Sequence, residues 1–475
     1  MKNRKARIGF MVATSHSGLI DEVGNPFPVM GMAERARRKL EGLGVETIQF
    51  TDKGLISGDV KGDQVEDYNA EEVVDTREKA WKAVEKYRAA DIDCLVIFPP
   101  TWLWTHYYTQ ALMDLNRPIL VWAGDDIRGA QGLGLWGLRG TLDAIGGFMH
   151  KGVYGKPEDD DAVKQVIDFI DACKVKNILR RSVYGQFGSL PMGMIPGLLE
   201  DVEWLRKFGV QAEHLESLIL TIEGAKFSKN DLEKAYEDIK SRVKTIQPLD
   251  NEFIEKNMRI YLAHKKMIGD YGLDFDGVKC TMELSDNYCS PCIAQSMLLS
   301  EGYVTGCTTE PKGSLMMYIM RLLSDGAIFQ GDIEQVDRKA KIARMASCGS
   351  APIGFAESLD DYSLVKGPEL EGEAGGISIN AVGKPGKLTF GRIARLEDEY
   401  VMQIATGEAY KEKDGDKYRE ALGFLSLPYA AIKLDGDPQK FVDNLRSQYM
   451  HICYDQLKDK LLEVCKVLDI KPITS

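Results

Sequence analysis

Glu310 and Asp332 are the residues of this chain whose types and spacing most suggest chemistry. Each closes a short apolar run, VTGCTT before Glu310 and AIFQG before Asp332, and the helical stretch GSLMMYIMRLLSDG lies between them. Most acids sit on solvated faces. A strand–helix–strand unit within one sheet is almost always a right-handed parallel crossover. Both acids are therefore expected at the carboxyl edge of adjacent strands, about 5 Å apart at the backbone. Ligands of open α/β sheets bind along that edge. Two bare carboxylates so close repel, so one holds a proton or a cation lies between them. A divalent metal resolves the conflict. Mg²⁺ and Mn²⁺ favour oxygen ligands, and an added imidazole moves the preference toward Mn²⁺ or its neighbours.

The chain has six histidines: His16, His106, His150, His214, His264 and His451. His451, at the opening of the last predicted helix, and His16, in the loop after the first strand, are the two candidates for a third ligand. Spacing does not choose between them. Two further motifs are weaker. Gly132-Leu-Gly134-Leu-Trp-Gly137 matches the dinucleotide fingerprint, but the preceding strand, PILVWAG, is separated from it by DDIRGAQ. No acid follows at the end of a next strand, as that site requires. A flexible glycine-rich loop beside a helix is the expectation. Cys289-Ser290-Pro291-Cys292 has no second pair for a zinc ribbon and reads as a loop and helix start, with Pro291 in the first turn.

The elements that must position these residues follow from the pattern. RIGFMVAT, VETIQF, CLVIFPP and PILVWAG read as strands, separated by helices such as GMAERARRKLEGLG and TREKAWKAVEKYRAA. This βαβα alternation predicts an open parallel sheet with helices on both faces. The pattern restarts with VKNILRRSVYG and VQAEHLE, continues through a polar helical stretch from 228 to 269 broken at Gln247-Pro248, and ends in the segment carrying Glu310 and Asp332. From Lys339 onward, glycine-rich short strands (GGISINAVG, GKLTFGRIARL, YVMQIATGEAY, YAAIKLDG) predict a β-rich module such as a small barrel. The fold class expected is α/β, with two Rossmann-like parallel-sheet domains, 1–155 and 156–338, and a barrel-containing C-terminal domain, 339–475.

The bulk numbers exclude several roles. At 475 residues the chain exceeds a single core and predicts two or three domains. A formal net charge of −12 gives no basic excess for nucleic acid. No run approaches the roughly 18 apolar residues of a membrane helix, and MKNRKARIGFMVAT reads as a buried first strand rather than a signal peptide. Nine cysteines, an odd number, suit reduced thiols. A cytoplasmic protein acting on a small molecule is expected.

In order along the chain, GSLPMGMIPGLLEDVEWLRKFGVQAEHLE (188–216), GCTTEPKGSLMMYIMRLLSDGAIFQGD, SCGSAP (347–352), GKLTFGRIARLEDEYVMQIATGE and MHICYDQLKDKLLEVCKVLDIKP resemble segments of the L-fucose isomerase family. The resemblance is clearest from about residue 180 onward. It implies a glutamate, an aspartate and a histidine holding a divalent metal, matched by motif to Glu310, Asp332 and His451. It also implies three domains, and homo-oligomers, dimer to hexamer, whose active sites a neighbouring subunit completes. The chain is shorter than the long-form members. Ser347 and Cys348 stand where related arabinose isomerases have a second histidine ligand.

The activity implied is aldose–ketose isomerisation with Mn²⁺, on a deoxy sugar such as L-fucose. Glu310 and Asp332 would carry the proton between C2 and C1. Sugar recognition is expected from PPTWLWTHYY after CLVIFPP, through Trp102 and Trp104, with His16, Arg128 and Gln131 as further candidates. For an anionic alternative substrate, such as a 6-sulfonated deoxyglucose (sulfoquinovose), an arginine such as Arg128 or Arg181 should meet the charge. A third alternative is a sugar-binding protein of the same fold without turnover.

Overall fold

The structure, a computed structural model, describes residues 4–15, 28–126, 129–367, 375–421, 423 and 427–475. His16 and Arg128 lie outside the described residues. The chain divides into two compact units, Met1–Ile178 and Leu179–Ser475.

The first unit holds β1 (Arg7–Val12), β2 (Glu46–Ile48), β3 (Cys94–Phe98), β4 (Ile119–Ala123) and β5 (His150–Tyr154). They form one parallel sheet in the order β2-β1-β3-β4-β5. CLVIF and ILVWA are buried at every position, as central parallel strands covered on both faces must be. The helix Arg77–Ala89 starts where Thr76 accepts a hydrogen bond from the Lys79 amide. Strand order reverses between β1 and β3, which makes their carboxyl ends the switch point of this sheet.

The second unit contains β6 (Val183–Phe187), β7 (Gln211–Leu215), β8 (Thr245–Ile246), β9 (Phe275–Val278) and β10 (Val304–Cys307). It continues with β11 (Ile328–Asp337), β12 (Ile342–Ala346), β13 (Ser363–Lys366), β14 (Ile377–Asn380) and β15 (Gly386–Leu396). Last come β16 (Glu399–Tyr410), β17 (Tyr429–Leu434), β18 (Tyr449–Cys453) and β19 (Lys471–Thr474). A parallel sheet, β10-β9-β6-β7, has its own switch point between β6 and β9. A second sheet runs β15-β18-β11-β12-β17-β16, and β15 pairs with β16 to close it into an antiparallel barrel. Parallel sheets in both units and a barrel in the C-terminal part match the fold expected from the sequence.

Three local expectations are corrected. β11 does not lie beside β10. It belongs to the barrel, antiparallel to β12 and β18. The connection through the helix Pro311–Leu323 therefore leaves one sheet for another, and the crossover rule, which assumes one sheet, does not apply. His451 does not open the last helix. It sits within β18, and that helix begins at Lys458. Every residue of YMHIC is buried, so the run carries no one-sided pattern to separate strand from helix. The GLGLWG segment is not a loop. Gly132, Gly134 and Gly137 lie inside the helix Gln131–Ile145. A Cβ on Gly134 would come within 2.6 Å of the Thr101 carbonyl oxygen, so the glycine permits a close helix–loop approach.

Candidate active site

Glu310 lies just past the end of β10, at the N-cap position of the helix Pro311–Leu323 but with no capping bond from its side chain. The two residues before it, Thr308 and Thr309, have φ of +65° and +53°. Left-handed β-branched residues cost of order 1–3 kcal/mol each and persist where surrounding structure holds them. Here the Thr309 hydroxyl donates to the Ser189 carbonyl at 3.0 Å, and the Gln330 side chain clasps the backbone of Cys307. Oε1 of Gln330 accepts from the Cys307 amide at 3.0 Å, and Nε2 donates to its carbonyl at 3.4 Å. Barrel strand β11 is thereby tied to the end of β10.

Barrel register brings the other candidates alongside. His451 stands opposite Gln330 and Gly391, and Asp332 stands opposite Tyr449. Phe329, Phe390, Met450 and Ile452 belong to the apolar core, so the alternate residues Gln330, Asp332, Tyr449 and His451 share the other face. The helix Pro311–Leu323 covers that face, and a Cβ on Gly391 would meet the Met316 and Met320 methyl groups at 2.5 and 2.6 Å.

Glu310 and His451 converge on one small space. From the position a Cβ would take on Gly313, Glu310 Oε2 is 2.4 Å away and His451 Nε2 is 2.6 Å away. His451 is wholly buried, and its Nδ1 lies 3.2 Å from the Gly391 carbonyl, which it serves as donor in the neutral ring. Its Nε2 has no hydrogen-bond partner. Burial and the nearby Arg392 charge push its pKa down to about 3, so the ring is neutral with a free lone pair. Arg392, 1% exposed, grips Glu310 with both terminal nitrogens, Nη2 to Oε1 at 2.8 Å and Nη1 to Oε2 at 3.1 Å. Nη1 also donates to the Tyr449 carbonyl at 2.9 Å. Asp332 is partly buried. Burial, with Glu334 two residues on, raises its pKa to about 7.

The donor types suit a divalent ion, and the anchored, neutral His451 with its unpartnered Nε2 has the form of a metal-ligating imidazole. The fit is incomplete. Among the described residues no three of the histidine, cysteine, aspartate and glutamate side chains are close enough together to hold an ion. Arg392 already supplies the positive charge at Glu310.

The remaining candidates belong to the first unit. Trp102 and Trp104 follow β3 at the switch point, ring centroids 4.5 Å apart. The Trp102 carbonyl accepts from the Ser15 amide at 3.4 Å. Gln131 is buried at the start of its helix, with Nε2 3.4 Å from the Pro99 carbonyl and Oε1 unpartnered. These three are gathered at one sheet edge. The sequence reading passed over Arg392, Gly313, Gln330 and Lys312. Arg392 had a signal: an arginine between Gly391 and Ile393 in the apolar middle of GKLTFGRIARL must find a buried anion.

No family model matches the chain. It is 22% identical over 346 residues to sulfoquinovose isomerases of Priestia aryabhattai and Priestia megaterium (strain ATCC 12872 / QMB1551), spanning 71% of this chain and 77% of each. It is 24% identical over 263 residues to a sulfoquinovose isomerase of Clostridium sp. (strain MSTE9), spanning 54% of this chain and 56% of the other. Among solved structures, a periplasmic solute-binding protein from Actinobacillus succinogenes 130z with bound D-allose covers 63% of the chain at 10% identity and a TM-score of 0.16, too low to bear on the fold.

Proposed function

We propose that this chain is a sugar aldose–ketose isomerase whose proton-carrying carboxylates are Glu310 and Asp332. The convergence of Glu310 Oε2 and the unpartnered His451 Nε2 beside Gly313 carries the reading. The relatives called sulfoquinovose isomerases support the reaction class and favour a 6-sulfonated glucose over an L-fucose-like sugar. Isomerisation moves one proton from C2 of the open-chain aldose to C1 by way of an enediol, so a carboxylate within hydrogen-bond reach must accept it and give it back. Glu310, paired with Arg392, accepts. Asp332, on the face of β11 shared with His451, is the partner acid. Arg392 holds the accepting carboxylate in one orientation.

A divalent ion, Mn²⁺ first, belongs to the proposal through His451, Glu310 and Asp332. When bound, it would polarise the sugar's carbonyl and neighbouring hydroxyl oxygens. A homo-oligomer with sites near subunit interfaces is likewise proposed from the family resemblance. The grip of Arg392 on both Glu310 oxygens favours one second reading, a sugar-binding protein without turnover. Assaying an aldose panel for ketose, with EDTA and with Mn²⁺ restored, separates the two. Metal-restored ketose supports the isomerase, and tight sugar binding with no ketose supports the binder.

A further inference from the structure

A cavity of about 280 Å³ is lined by Arg392, the partner of Glu310, but not by Glu310 itself. Lys312, Arg392, Arg395 and Arg446 line it, with Leu198 and Ile195 as apolar wall. Its donors outnumber its acceptors. The Nε–H groups of Arg392 and Arg395 are both buried without a hydrogen-bond partner. Lys312, 7% exposed, spends its ammonium only on the neutral carbonyls of Pro196 and Leu198, at 2.9 and 2.7 Å. Arg446 likewise donates only to the carbonyls of Asp443 and Leu445, at 2.6 and 3.0 Å. Two acids also line the cavity: Glu200 is paired with Arg395, which also meets Glu203 and Asp398 from outside the lining, and Glu397 is exposed at the turn between β15 and β16. A buried donor left unmade costs about 1–3 kcal/mol, and two on guanidinium groups in one cavity call for an acceptor with several oxygens. A tetrahedral oxyanion offers three.

We propose that this cavity is the subsite for an ionised sulfonate or phosphate carried at the end of the sugar remote from C1 and C2. This rests on the isomerase reading. Arg392 then serves both ends of the substrate: its terminal nitrogens hold Glu310, and its side chain lines the anion cavity. The sequence reading gave this charge to Arg128 or Arg181. Arg128 lies outside the described residues, and Arg181 is not among the residues that line the cavity.

The test compares 6-deoxy-6-sulfoglucose, glucose 6-phosphate and neutral 6-deoxyglucose on the full chain, as wild type, Arg446→Gln and Lys312→Met. Isomerisation and calorimetric binding are both read. Lys312 ties the 196–198 loop and its variant needs a melting check; Arg446, at the rim, is the independent variant. The expected result is a charged-to-neutral ratio of kcat/KM, or of affinity, that falls about 10- to 100-fold in each folded variant. Whether the sulfonate or the phosphate sugar is preferred names the source of the anion. An unchanged ratio in both variants, with wild type still isomerising, overturns the subsite and leaves the isomerase standing. Binding of a charged sugar that the variants weaken, with no ketose from wild type, keeps the subsite and overturns the isomerase. No binding of either charged sugar to wild type overturns the subsite.

Discussion

At the scale of single residues, the account turns on a few atoms around Gly313. Glu310→Gln keeps the shape and one acceptor but removes the base, so ketose formation should drop by about 10²–10⁴-fold with the fold intact. A rate within a few fold of wild type would place the base elsewhere. Gly313→Ala would ordinarily gain about 0.5–1 kcal/mol in a helix. Here the added methyl would lie 2.4 Å from Glu310 Oε2 and 2.6 Å from His451 Nε2. We expect it to lower both melting temperature and kcat, the latter by about 10²-fold from displaced catalytic atoms. Normal kinetics and a raised melting temperature would show that the two side chains do not meet there. Glu310 and Asp332 stood out in the sequence because each closes an apolar run. Arg392 showed only as a charge within an apolar run, and Gly313 not at all, because their roles depend on a strand and a helix brought together from distant parts of the chain.

At the scale of elements, alternation and glycine punctuation made the parallel strands of both units legible, and glycine-rich short strands announced the barrel. Where β10 and β11 part company was not legible. AIFQGD has the same apolar texture whether its neighbour is a parallel strand or the barrel, and only the pairing of Gln330 with His451 decides. A loop in the first unit offers a pH test away from the site. Glu72, 1% exposed, accepts from the amides of Phe50 and Thr51 and from the Thr51 hydroxyl, pinning the chain after β2. Burial raises its pKa above the ordinary carboxylate value despite those bonds. The folded state therefore holds this proton more tightly than the unfolded one. The stability linked to it is fully present below the ordinary value and is lost as pH rises through the folded value. Glu72→Gln, which loses hydrogen bonds worth about 1–3 kcal/mol, lacks that loss. Its melting temperature should trail wild type more at pH 5 than at pH 8. A gap that widens toward pH 8 would reverse the sign.

At the scale of the whole molecule, two compact units share one chain, and Glu310, Asp332, His451 and the oxyanion cavity all belong to the second. Multi-unit chains depart from two-state unfolding. Scanning calorimetry should give a calorimetric enthalpy above the van't Hoff value, and a ratio of one would mean the units unfold together. The measurement that bears most directly on function is ketose formation from 6-deoxy-6-sulfoglucose, followed by NMR in solvent D₂O, for wild type beside Glu310→Gln. The account predicts a ketose, with deuterium entering at the carbon that receives the proton, from wild type and almost none from the variant. Sugar bound without ketose by wild type, or equal turnover by both proteins, would contradict it.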